Sequence, residues 1–92
     1  MDTKAADVIT GLSFIEESLK EQHRDDLSVV NGNIGCGNNN LWGYLYMIVP
    51  HDKELAEHTR RNFLGKSPIE ALALVGKIRR EYFDEVLRQG LL

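Results

Sequence analysis

Apolar residues recur every three or four positions over residues 4–22. At about 100° per residue, Ala5, Val8, Ile9, Leu12, Ile15 and Leu19 fall in one stripe roughly 120° wide, which predicts an amphipathic helix. Asp2 or Thr3 suits its N-cap, and Arg24-Asp25-Asp26 ends it. Phe14 lies outside the stripe, on a face otherwise made of Asp7, Thr10, Glu17 and Glu21.

The period then changes. Leu27-Ser28-Val29-Val30 reads as a short strand, followed by a Gly/Asn-rich stretch over residues 31–40 that begins Asn31-Gly32, a strong hairpin signal. Residues 41–49 read as the second strand, because they are dense in aromatic and β-branched side chains and Pro50 stops them. Alternation puts Trp42, Tyr44, Tyr46 and Ile48 on one face and Leu41, Leu45, Met47 and Val49 on the other. Both faces are apolar, one more than a two-layer domain can hide.

Two further helices follow. Asp52 caps one over residues 53–64, with Leu55, Ala56, Thr59 and Phe63 in its stripe and Gly65 at C′. Ser67-Pro68-Ile69-Glu70 forms a capping box with proline at N1, so the last helix starts at Pro68 and runs to about Gln89. The expected fold is therefore α+β: helix, β-hairpin, helix, helix, in one small two-layer domain over residues 1–92. No motif points to a known family.

Composition narrows the function classes. The chain has 92 residues, 42% hydrophobic and 27% charged, which fits one globular domain. Net charge is −3, so the molecule as a whole does not attract phosphate backbones. The first half, residues 1–46, holds three Lys/Arg against seven Asp/Glu, and the second half eight against seven. The lone Cys36 allows no intrachain disulfide, and neither a signal peptide nor a membrane-spanning run is visible. A reducing, cytoplasmic setting is the expectation.

No catalytic constellation stands out. The glycines at 32, 35 and 37 superficially suggest a phosphate loop, but a predicted strand follows them and no Lys-Ser/Thr pair does. Cys36 has no cationic neighbour in sequence, and the scattered His23, His51 and His58 lack metal-ligand spacing. Asp25-Asp26 and Glu16-Glu17 read as solvated helix surface rather than a carboxylate pair. No cofactor and no enzymatic activity are expected.

The functional signal is surplus apolar surface, which marks protein contacts. It comprises the aromatic strand, Phe14, and a last helix with an unusually wide apolar arc. Arg79 falls near the middle of that helix's stripe (Leu72, Val75, Tyr82, Phe83, Val86). It must pair internally, snorkel at an edge, or face an interface. The leading reading is a non-enzymatic protein-interaction module of a regulatory, adaptor or inhibitor kind, possibly a homodimer. Its contacts would be Phe14, Trp42, Tyr44, Tyr46 and Arg79. The alternative is a nucleic-acid-associated protein using Arg60, Arg61, Lys66 and Arg80. It is the weaker reading because the last helix opens Pro-Ile-Glu-Ala-Leu-Ala, with nothing to read a base edge.

Overall fold

A computed structural model describes residues 3–25 and 35–90, with side chains for 3–21 and 41–90. Its described elements are four helices: α1 (Thr3–Asp25), α2 (Gly35–Ile48), α3 (Lys53–Phe63) and α4 (Pro68–Arg88). Each packs on two neighbours: α1 on α2 and α4, and α3 on α2 and α4, closing a ring around one core. The expected α+β fold is overturned, because there is no strand among the described residues. The expected strand at 27–30 and the Asn31-Gly32 turn lie outside them.

The physical reason lies in residues 41–49. Leu41, Leu45 and Ile48 stand at i, i+4 and i+7, one helical stripe, and all are buried against the core. A short apolar run satisfies strand and helix periods alike, and here packing selected the helix. The surplus apolar face of a strand disappears with it, since a helix spreads the same residues over a core stripe, two flanks and an outer face. The backbone of residues 35–40, expected to be loop, forms the first turns of α2.

Elsewhere the pattern holds. Val8, Leu12, Ile15 and Leu19 of α1 meet Phe63 of α3 and Ala71, Val75 and Ile78 of α4 in one cluster, with Ala5 also buried and Ile9 half-buried. Asp52 Oδ1 accepts the Leu55 N–H at 3.0 Å, and Ser67 Oγ accepts the Glu70 N–H at 3.3 Å, so the expected N-caps of α3 and α4 form, while Asp2 lies outside the described residues. Gly65, with φ 78°, takes the left-handed C′ position after α3. The buried Thr59 hydroxyl donates to the Leu55 carbonyl at 2.8 Å, which satisfies the one polar group among the described core residues.

Two contacts fix α1 against its neighbours. At Gly11 an added Cβ would stand 3.0 Å from Ile48 Cγ1 and 3.2 Å from the Tyr44 carbonyl oxygen, so the missing side chain is what lets α2 approach. Toward α4, Arg79 Nε donates to Glu16 Oε1 at 2.7 Å. The Glu16 side chain is only 12% exposed, which corrects its reading as solvated surface. Gly76, buried beside the pair, leaves room for both Glu16 and the Arg80 head group.

Candidate functional site

The structure separates side chains that strand alternation had grouped. At about 100° per residue, Trp42, Leu45, Tyr46 and Val49 share one flank of α2, whereas Tyr44 turns to the opposite flank. The first set lines a cleft of about 170 Å³ between α2 and α3, completed by Ala56 and by Lys53, Glu57 and Arg60. Leu45 and Ala56 are buried and form the floor, Trp42 is half-buried, and Val49 is 38% exposed. Tyr46 stands out at 72% exposed.

The Trp42 ring packs edge-on against Phe63, with centroids 6.0 Å apart and planes at 76°. The indole thus fills the space at this contact, and beyond it Tyr46 and Val49 stay exposed. The α3 residues at this edge are Lys53, Glu57 and Arg60. Arg60 Nη2 donates to Glu57 Oε2 at 3.0 Å, and Arg61 Nη1 lies 3.8 Å from the same oxygen. The hydrogen bond from Arg60, aided by the charges of Arg60, Arg61 and Lys53, holds the Glu57 carboxyl below its ordinary value.

On the other flank of α2, Tyr44 and Phe14 meet with ring centroids 5.2 Å apart at 43°. They line a second groove, of about 140 Å³, together with Glu17, Ser18 and Glu21. Phe14 is 44% exposed, so its place outside the α1 stripe serves a contact with α2 and leaves an edge in solvent.

The expected protein-binding residues therefore fall in three places. Trp42 and Tyr46 share the α2–α3 cleft, Phe14 and Tyr44 share the α1–α2 groove, and Arg79 is tied to Glu16 between α1 and α4. The buried positions of α4 are Pro68, Ala71, Val75, Gly76, Ile78 and Val86, and of the three outcomes open to Arg79 the structure shows the internal pair, with Glu16. Phe83, assigned to that core, is 38% exposed. The basic residues of the alternative reading are dispersed. Arg60 lines the cleft, Arg61 lines a shallow depression with Lys53, Glu54 and Glu57, and neither Lys66 nor Arg80 lines either.

Sequence reasoning missed Leu45, Val49, Lys53 and Glu57. The i, i+3, i+4, i+7 spacing of residues 42, 45, 46 and 49 was the available signal. Among the described residues no cluster of three or more His, Cys, Asp or Glu could hold a metal ion, and no helix is long and apolar enough to cross a membrane. The Cys36 side chain lies outside the described set. No protein-family model, curated protein or solved structure matches this chain.

Proposed function

We propose that the chain is a small non-enzymatic protein-interaction module, of a regulatory, adaptor or inhibitor kind, whose docking surface is the α2–α3 cleft. A cytoplasmic setting accords with its single cysteine. The observation that carries the reading is the exposure of Tyr46, 72%, beside an open apolar cleft floored by Leu45 and Ala56. Tyr, Trp and Arg dominate the energetics of protein interfaces, and Tyr46, Trp42 and Arg60 all line this one depression. Its volume, about 170 Å³, falls below the roughly 300–1,000 Å³ of small-molecule sites and suits a single large side chain of a partner.

A photo-crosslinking residue at position 46 tests this in cells that make the protein. It should form a discrete protein adduct, while the same group at Lys77, on the exposed side of α4, should not. No adduct at 46 above the Lys77 control would overturn the reading. So would oligonucleotide binding that falls steeply with salt and disappears in the Arg60→Ala/Arg61→Ala double variant, which would return the protein to the nucleic-acid class.

A further inference from the structure

The charges that line the α2–α3 cleft differ in their commitments. Glu57 is bound by Arg60 at 3.0 Å and approached by Arg61 at 3.8 Å, so the carboxylate of the cleft and the guanidinium beside it are matched within the chain. Lys53 is not matched. Its ammonium makes no hydrogen bond or ion pair among the described residues, and it acts on Glu57 only through its charge at a distance.

The position of Lys53 also carries a local cost. It opens α3, the end of a helix where cations are disfavoured, and a lysine four residues before a glutamate is the poorer order for a helical pair. Neighbouring acids do not offset this within the cleft. Asp52 is committed to the Leu55 N–H, and Glu54 lines the shallow depression next door rather than the cleft itself. The helix gives no reason of its own for a cation here.

The cleft does give one. Trp42 and Arg60 stand at its one end, next to Phe63, and Val49 and Lys53 at the other, across the short turn from α2 to α3. That second end is about 21 Å along α2 from Gly35, and residues 45–57 that build it are all described. Between the ends lies the apolar floor of Leu45 and Ala56, with Tyr46 beside it. Lys53 comes three residues before Ala56, about 4.5 Å along α3. A seat for one apolar side chain therefore has a single uncommitted ammonium within a turn of it.

We propose that the cleft recognises a partner-protein segment in which one large apolar side chain has a carboxylate beside it or within one helical turn. The side chain rests on Leu45 and Ala56 against Tyr46, and the carboxylate pairs with Lys53. This rests on the docking reading above and names the chemistry of its occupant. The apolar seat supplies most of the affinity, because that is the surface removed from water. The exposed ion pair supplies orientation and preference more than strength. A basic segment at the same seat is repelled.

N-acetylphenylalanine and its amide carry one side chain with and without a carboxylate. Trp42, the only tryptophan in the chain, lines the cleft and reports their binding by fluorescence. Probes of this size bind at on the order of 1 mM. At low ionic strength the acid should bind about threefold more tightly than the amide, and concentrated salt should narrow the gap. Lys53→Gln, at an exposed position, should bring the acid down to the amide and leave the amide unchanged. Tyr46→Ala should weaken both probes several-fold. Equal binding of acid and amide overturns the proposal, as does a preference that survives Lys53→Gln. It is also overturned if Trp42 responds to neither probe, or if both ignore Tyr46→Ala and so bind outside the cleft. The docking reading is checked apart from this: an adduct at position 46 without any acid preference sinks only the carboxylate, whereas no adduct removes both.

Discussion

α2 meets α1 and α3 on opposite flanks, and the two seams are built differently. Against α1 the helices touch closely at Gly11, which has no side chain, with Ile48 and the Tyr44 carbonyl where one would go, and the Phe14–Tyr44 groove opens farther along. Against α3 a large residue, Trp42, sets the distance through its edge-on contact with Phe63, and Tyr46 and Val49 remain uncovered beyond it. The residue at the point of contact sets how closely the two helices approach there. A glycine brings backbones together, whereas an indole holds them apart.

The sharpest way to break this comparison is to remove the ring that Trp42 packs against. Phe63 is 1% exposed and touches Trp42 as well as the shared core, so Phe63→Ala should cost about 3–5 kcal/mol. A smaller loss in urea denaturation would mean that the α2–α3 seam collapses onto the gap and was never held open by the ring pair.

Gly11→Leu probes the closer seam. A branched side chain there must displace Ile48 or the α2 backbone, and overpacking of this kind costs about 1–3 kcal/mol. An unchanged thermal midpoint would show that α1 and α2 are not in close contact, and the contrast between the seams would fail.

At the open cleft the expectation reverses. Tyr46→Ala should move the stability of the dilute chain by no more than about 0.5 kcal/mol, because most of the ring is already in water. A loss above about 1 kcal/mol would place Tyr46 in a packed site.

The smallest effect is electrostatic. Glu57 titrates below its ordinary 4.5, so its contribution is present above that pH and fades as pH falls through the lower folded value. Glu57 is at the solvent surface, and salt screens its pairing with Arg60. Glu57→Gln should slightly flatten the acid limb of a stability–pH curve measured at low ionic strength. The same flattening in concentrated salt would show a cause other than pairing with Arg60 and Arg61.

Much of the frame was legible along the chain. α1, α3 and α4 each announce themselves by a stripe of period near 3.6 and by local caps, Asp52 and the Ser67–Glu70 box above all. Those signals are local, because a cap joins residues three apart and a stripe repeats within one element. α2 was not legible in that way. Its first turns are Gly-Cys-Gly-Asn-Asn-Asn, residues of low intrinsic helix preference, and its second half is equally a strand by composition. The candidate site inherited that error: alternation joined Tyr44 to Trp42 and Tyr46, and only the helical period brings Trp42, Leu45, Tyr46 and Val49 to one flank. Glu16 was misread for another reason, since its partner Arg79 is 63 positions away.

By itself, then, the sequence determined three amphipathic helices, their caps, and an acidic first half followed by a more basic second half. The tertiary structure alone decided that residues 35–48 become a helix, because burying Leu41, Leu45 and Ile48 against α1 outweighs a local preference that favours turn and strand. It also decided where the charge asymmetry falls. Folding sets the acidic α1 on one flank of α2 and the cationic edge of α3 on the other, a juxtaposition that no local rule encodes, because it arises only when distant segments close around one core.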